Sequence, residues 1–215
     1  MRFGQWRSLV HQTPSFEHWA TLCEHVQIHP WDEEAQEILL PYLQGALNHW
    51  DDRIRAVPRV WLERLSEGQE VPYLNLARTL FYDASRAHPH LWSDLCPRFS
   101  GLTQLYMDSC AVDAEHIATL MDSGLPESLR VLNVWNNRLD DRALEMLLRP
   151  ERWRALQVLN LGYNRRITEV SLAQLAQMPW LKQLHHLQLD GTWIEPTAMT
   201  QFAHREGSHI ETLIY

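Results

Sequence analysis

The sequence is poor in the residues from which phosphate-binding loops and common catalytic motifs are built. Its 215 residues include only eight glycines, and these are scattered singly, so a glycine-rich phosphate loop is excluded. Neither the Gly-x-Ser-x-Gly elbow of hydrolases nor the His-Glu-x-x-His helix of metalloproteases occurs. We therefore expect a protein without catalytic activity, cofactor or metal ion.

Cysteines, basic charge and long apolar runs are also scarce. The chain has an odd number of cysteines, namely Cys23, Cys96 and Cys110. Residues 1–7 lack the apolar core of a secretory signal. These features predict reduced thiols and a cytoplasmic location. No apolar run approaches the roughly 20 residues that span a bilayer. The formal net charge of −8 disfavours nucleic acid and anionic membranes as partners.

What the sequence does contain is a repeat that covers residues 102–215. The pattern Leu-x-x-Leu-x-apolar starts at Leu102, Leu129, Leu156 and Leu184, and a truncated fifth copy starts at Ile210. The steps between these starts are 27, 27, 28 and 26 residues. Because the last two apolar positions alternate with polar ones, each copy predicts a short strand with one face in a core.

The second half of each repeat predicts a helix that packs on the strands. Helix N-terminal signals occur at Asp113, at Asp140 or Asp141, at Thr168, and at Glu195 before Pro196. Each helix then carries two apolar residues three apart, which lie on one helix face. These pairs are Ile117 and Leu120, Leu144 and Leu147, Leu172 and Leu175, and Met199 and Phe202.

A short polar residue follows each strand, where the chain turns away. Cys110, Asn137, Asn164 and Thr192 occupy this position. Their side chains are predicted to form hydrogen bonds with the backbone of a neighbouring repeat, because that backbone lies outside the strands and has no hydrogen bonds from the sheet.

Together these signals resemble the longer leucine-rich repeats of the ribonuclease-inhibitor type. The resemblance implies an α/β fold, a right-handed solenoid with parallel concave strands and convex helices. Residues 101–215 would hold four complete repeats and a final partial strand. Cys110 and Thr192 depart from the commoner asparagine, and Ile167 comes one residue late. The motif specifies a fold and leaves the partner open.

Residues 1–100 show helical spacing and predict an all-helical N-terminal capping region, which a solenoid needs to cover its first repeat. Thr13-Pro14 is expected to open one helix, and Pro58 and Gly68 should bracket another. A degenerate first repeat at 71–98 is an open alternative. Pro72 argues against it, because proline has no N–H to donate to a strand ladder. Its spacing rests on Val71, Leu74, Leu76, Thr79 and Phe81, and Trp61, Trp92, Leu95 and Phe99 are the candidate capping residues.

Residues between the leucines should point away from the core and form rows across the repeats. Trp135, flanked by Tyr106 and Tyr163, has the composition of an interface hot spot, and Asp108 and Asp190 are candidate charged selectors. For Asn133 and Asn160 the alternative is that they bond each other between repeats. The predicted partner-binding residues are Tyr106, Asp108, Asn133, Trp135, Asn160, Tyr163, His186, Gln188 and Asp190.

These observations predict a non-enzymatic module that binds a partner protein on its concave face. One alternative is a regulator or inhibitor of an enzyme such as a GTPase or nuclease. Another is a homo-oligomeric scaffold, possible as a homodimer, that pairs through the apolar edge Leu213, Ile214 and Tyr215. A metal site at His18, Cys23, His25 and His29 is disfavoured, because Pro30 ends that helix and no second ligand cluster supports it.

Overall fold

A computed structural model describes residues 3–82 and 98–215 of the chain. The chain divides into two compact units, Met1–Leu80 and Phe81–Tyr215. Trp92, Leu95 and Cys96, and most of the alternative repeat at 71–98, lie outside the described residues. No helix in the described part of the chain has both the length and the apolar character needed to cross a membrane.

The first unit is built from short helices. Its α-helices are α1 (Phe3–Val10), α2 (Phe16–Ile28), α3 (Leu40–Ala46) and α4 (Arg59–Ser66); a π-helical turn, Ala35–Leu39, leads into α3, and 3₁₀ turns cover Leu47–His49 and Leu74–Leu76.

Local sequence explains where these helices begin and end. The Ser15 hydroxyl caps α2 by accepting from the His18 N–H at 3.1 Å, one residue after the predicted Thr13-Pro14 signal. The widened π turn immediately precedes α3, whose second residue is Pro41. Since Pro41 has no N–H to donate, the break at this point follows from its chemistry. Helix α4 starts after Pro58 and is followed by Gly68 at φ +75°, as the sequence predicts.

A buried arginine lies in the core of this unit. Arg55 is 1 % exposed, and its Nε donates to the Leu76 carbonyl at 2.8 Å while Nη1 donates to the Leu47 carbonyl at 3.3 Å. Burial lowers the pKa of Arg55 to about 10, so the guanidinium remains charged at neutral pH. Nothing in the sequence pattern predicts this residue.

The second part of the chain forms a parallel sheet. Its six strands follow chain order: β1 (Thr79–Phe81), β2 (Gln104–Tyr106), β3 (Val131–Asn133), β4 (Val158–Asn160), β5 (His186–Gln188) and β6 (Thr212–Ile214). From β2 to β6 the repeat leucines Leu105, Leu132, Leu159, Leu187 and Leu213 stand side by side. The first four of these leucines are buried. The predicted parallel register is confirmed.

The strand assignment within the alternative first repeat was wrong. Its spacing aligned Leu74 and Leu76 with the strand leucines, but these residues form a 3₁₀ turn. The strand lies at Thr79–Phe81 instead, with Leu80 buried. The local sequence Ala77-Arg-Thr-Leu80-Phe-Tyr82 reproduces the strand spacing six residues later than the start at Val71.

A helix follows each of the strands β2 to β5. These helices are α5 (Ala114–Asp122), α6 (Asp141–Leu147), α7 (Glu169–Leu175) and α8 (Pro196–Arg205). The predicted caps are confirmed, since Asp113, Asp140 and Thr168 each accept a backbone N–H of the first turn. Glu195 precedes α8 without a side-chain cap. The eight predicted apolar helix residues are all buried.

The turn residues bond neighbouring repeats as predicted, but not in every repeat. Asn137 Oδ1 accepts from the N–H groups of Cys110 and Val112, both at 2.9 Å. Asn164 Oδ1 accepts from the Leu139 N–H at 3.1 Å. The Thr192 hydroxyl donates to the Leu189 carbonyl of its own repeat at 2.8 Å. Asparagine therefore links repeats, because its amide reaches further than a hydroxyl and has its acceptor oxygen and its donor nitrogen on separate atoms.

Candidate functional site

The candidate site is the outer strand face, defined as the residues on either side of the buried leucine in strands β2 to β5. Each of these strands has a buried centre and partly exposed flanks. One row contains Gln104, Val131, Val158 and His186, and the other contains Tyr106, Asn133, Asn160 and Gln188. These are the rows that the repeat spacing predicts.

Aromatic side chains on and beside this face form two pairs. Phe81 stacks on Tyr106, with ring centroids 4.9 Å apart and an interplanar angle of 24°. Trp135 packs on Tyr163 at 5.2 Å and 56°. Tyr163 flanks Trp135 as expected, and Tyr106 stacks on Phe81. Trp135 is half-buried rather than exposed, whereas Tyr163 is 40 % exposed.

Two glycines make room for the Trp135–Tyr163 pair. A Cβ added at Gly162 would lie 3.0 Å from Trp135 Cδ1 and 2.6 Å from Asp190 Oδ1. At Gly191 an added Cβ would meet the Tyr163 ring at 3.0 Å. Each ring therefore lies close over the backbone of the following repeat, and only glycine permits that approach.

The backbone adopts a left-handed conformation at the same position of each repeat. Ser109 (φ 54°), Asn136 (φ 52°), Tyr163 (φ 57°) and Gly191 (φ 67°) share it. Asparagine and glycine enter this region readily, whereas a tyrosine there is unusual. Strained residues of this kind concentrate at functional sites, and Tyr163 is such a residue on this part of the surface.

The asparagines of the outer strand face bond within their own repeats. Asn133 Oδ1 accepts from the Trp135 N–H at 3.0 Å, and Asn160 Oδ1 accepts from the Gly162 N–H at 3.0 Å. The alternative in which Asn133 and Asn160 bond each other between repeats was therefore wrong. Their role is to hold the turn that carries Trp135 and Gly162.

Two acids rim the aromatic pairs. Asp190 Oδ1 accepts from Gln188 Nε2 at 2.7 Å, which orients the carboxylate beside Gly162. Asp108 is exposed as a residue, but its carboxyl is partly enclosed. This burial raises the pKa of Asp108 above its usual range, although a hydrogen bond from its own backbone N–H acts in the opposite direction. Asp190 is half-buried as a residue.

The remaining predicted residues occupy different environments. His186 is partly exposed in the row with Val158 and Thr212. Leu213 is half-buried in the leucine row. Ile214 of β6 stands beside Gln188 in the strand register. It is 39 % exposed, and Tyr215 is 56 % exposed.

The histidines of α2 have structural partners. Nδ1 of His25 bonds the Thr21 carbonyl and Nδ1 of His29 bonds the Pro30 carbonyl. Both rings also pack edge-on against Trp6. Among the residues that the structure describes, no group of three or more His, Cys, Asp or Glu side chains is arranged to hold a metal ion.

Phe81 is the site residue that sequence reasoning missed. It is 45 % exposed and stacks on Tyr106. The spacing of the alternative first repeat, which starts at Val71, includes Phe81 but assigns it to the turn after the strand. The strand pattern from Ala77 to Tyr82 was the signal that could have identified it.

Comparison with models of known protein families and with curated protein sequences finds no match for this chain.

Proposed function

We propose that residues 101–215 form a leucine-rich-repeat solenoid of the ribonuclease-inhibitor type, with the outer strand face as its concave side. The parallel register of β2 to β6 supports this assignment. So do the helices after β2 to β5 and the asparagine bonds between repeats. In this fold the strand face is the usual place for a binding surface.

We further propose that the protein is a non-enzymatic interaction module that binds a partner protein on this face. The observation that carries the proposal is the Trp135–Tyr163 pair. Tyr163 is held in a left-handed conformation and Trp135 lies over a glycine. Core packing alone does not require a strained tyrosine or a ring over a glycine. A rigid aromatic anchor for a partner does require its rings to be held in one position.

The chemistry of the face indicates what kind of surface it would accept. Half-buried aromatic rings offer apolar area at little entropy cost, and amides and carboxylates surround them. A complementary partner surface would place an apolar or aromatic side chain on Trp135 and a basic or donor group near Asp108 and Asp190. Charges at the rim select the partner more than they add affinity.

The experiment is capture of the partner from the native lysate with the full chain as bait. Wild-type protein should retain a partner that the Trp135→Ala variant loses, with a cost above ~2 kcal/mol in the affinity measured afterwards with the purified partner. Trp193→Ala is the matched control, because Trp193 is 67 % exposed and belongs to none of the strands. Both variants should unfold at the wild-type denaturant concentration.

Equal retention by wild type and Trp135→Ala would remove this face from the interaction. Loss of the partner in Trp193→Ala alone would place the site near that tryptophan.

A second candidate function is a homo-oligomeric scaffold, for which the exposed Ile214 and Tyr215 beside β6 are the specific observation. Sedimentation of wild type and Ile214→Lys tests it. A concentration-dependent dimer that the lysine abolishes would support it, and a monomer at all concentrations would dismiss it.

Regulation or inhibition of an enzyme, such as a GTPase or nuclease, is a narrower form of the interaction proposal, and the identity of the captured partner decides it.

A further inference from the structure

A pocket in the first unit lies outside the outer strand face. It has a volume of about 200 Å³ and is walled by aromatic and apolar side chains, including Val26, Trp31, Trp61, Val71 and Tyr73. For scale, an engineered apolar cavity of about 150 Å³ holds benzene. The pocket is therefore large enough for one substituted aromatic ring.

The walls of the pocket are largely fixed before any ligand enters. Val26 and Trp61 are each 1 % exposed and Tyr73 is 3 % exposed, so they are held by the core. Trp31 packs edge-on against Tyr73 at 4.9 Å between ring centroids and is 36 % exposed. Trp61 in turn packs against Trp19 at 6.5 Å. A preformed aromatic pocket binds a flat apolar group without a large ordering cost.

One cation lines this pocket. Arg64 on α4 is partly exposed. Within the described residues its guanidinium makes no hydrogen bond or ion pair, whereas the neighbouring Arg59 is paired with Glu63 at 2.7 Å. A guanidinium offers five donors in a planar fork that matches a carboxylate. An aromatic pocket alone would also suit an ammonium ion, but the charge of Arg64 opposes a cation.

A second polar group in the wall is unsatisfied. The Tyr73 hydroxyl is buried and has no hydrogen-bond partner among the described residues. Burial, with a smaller contribution from Asp32, raises the pKa of Tyr73 to about 12, so the group is a neutral O–H donor. Buried hydroxyls without partners are rare in folded proteins. The hydroxyl is enclosed from solvent, so Arg64 is the group of the wall that can meet the charge of a ligand.

We propose that this pocket binds a small aromatic carboxylate, with the ring between Trp31 and Trp61 and the carboxylate paired with Arg64. The ring fills the apolar volume, and the guanidinium of Arg64 meets the acceptor oxygens. This site is independent of the proposed protein-binding face.

Titration calorimetry of the full chain with phenylacetate tests the proposal, with phenylacetamide as the neutral probe of the same shape. Phenylacetate should bind saturably, and phenylacetamide should bind at least about tenfold more weakly, because a charge-assisted hydrogen bond is lost. Arg64→Gln should weaken phenylacetate binding by at least about tenfold. Arg59→Gln is the matched control on the same helix and should leave the affinity unchanged.

Three outcomes would overturn the proposal. They are absence of saturable phenylacetate binding up to about 10 mM, equal affinity for phenylacetate and phenylacetamide, and unchanged affinity in Arg64→Gln. Saturable binding of tetramethylammonium in place of phenylacetate would reassign the pocket to a cation. Circular dichroism checks that Arg64→Gln is folded, as expected for a side chain with no bond to the residues that the structure describes.

Discussion

Asn164 connects two repeats through a single buried amide. Its side chain is fully enclosed. Its Nδ2 donates to the Val134 carbonyl at 2.9 Å and the Leu161 carbonyl at 2.8 Å, and its Oδ1 accepts from the Leu139 N–H at 3.1 Å. Water cannot replace these bonds, because the site is buried. The backbone at this point therefore depends on one side chain.

We predict that Asn164→Ala lowers the free energy of unfolding by at least about 2 kcal/mol, since it leaves several buried backbone groups unpaired. Thr192→Ala is the matched control at the same repeat position. It loses one bond within its own repeat and should cost no more than about 1.5 kcal/mol. Urea denaturation of the two variants checks this. Equal costs would mean that the bonds between repeats add nothing.

Tyr163 allows stability and binding to be separated. A non-glycine residue in the left-handed region costs roughly 1–2 kcal/mol, and the ring of Tyr163 is 40 % exposed. In Tyr163→Gly the relief of backbone strain should offset the lost ring contacts. We predict a change in unfolding free energy within about 1 kcal/mol together with loss of the captured partner.

Urea denaturation and partner capture, done in parallel on Tyr163→Gly, check this prediction. Tyr163→Asn is the companion variant, because asparagine tolerates the same conformation without the flexibility of glycine. A stability loss above about 2 kcal/mol in both variants would instead assign the ring to the core.

At the scale of elements, the N-termini of α6 and α7 are joined by one carboxylate. Asp141 Oδ1 accepts from the Thr168 N–H at 2.9 Å, and Oδ2 accepts from the Thr168 hydroxyl at 2.7 Å. The Ser171 hydroxyl also donates to Oδ1. Burial alone would raise the pKa of Asp141, but these hydrogen bonds outweigh it and lower the pKa below its usual range.

This link predicts a pH-dependent stability. Because the folded-state pKa of Asp141 is depressed, its stabilising contribution is full above the unfolded-state pKa of about 3.9 and is lost as the pH falls through the folded value. Asp141→Asn should therefore be less stable than wild type at neutral pH, and the difference should shrink in acid. Unfolding free energies across that range check it. A difference independent of pH would contradict the assignment.

At the scale of the whole molecule, burial is unevenly distributed along the sheet. Leu132 and Leu159 are enclosed in strands that pair on both sides. In β6 the flanking residues Thr212 and Ile214 are exposed, and among the described strands β6 pairs only with β5. Regions with little burial open more easily than the core.

We predict that backbone amides of β3 and β4 exchange with deuterium far more slowly than those of β6. Hydrogen-exchange mass spectrometry of the intact chain measures all three strands in one sample, so each strand serves as a control for the others. Equal exchange in β3 and β6 would show that the sheet opens as one unit.

Much of this architecture could be predicted because the spacing of apolar residues agrees with the turn and helix-cap residues in each repeat. The alternation around Leu132 and the Asp140 cap follow from local chemistry, and the structure confirms both. The pairing of Phe81 with Tyr106 and the burial of Arg55 could not be predicted. They depend on contacts between distant residues that no local pattern encodes.

The clearance at Gly162 has an evolutionary consequence. Trp135 lies where the side chain of any other residue at position 162 would be, and Asp190 is closer still. Substitution of this glycine would displace the indole, so selection that keeps one residue must keep the other. In homologous chains, tryptophan at 135 and glycine at 162 should therefore be inherited together. Lineages that lose the tryptophan would lose the constraint that its ring places on residue 162, and only the one from Asp190 would remain.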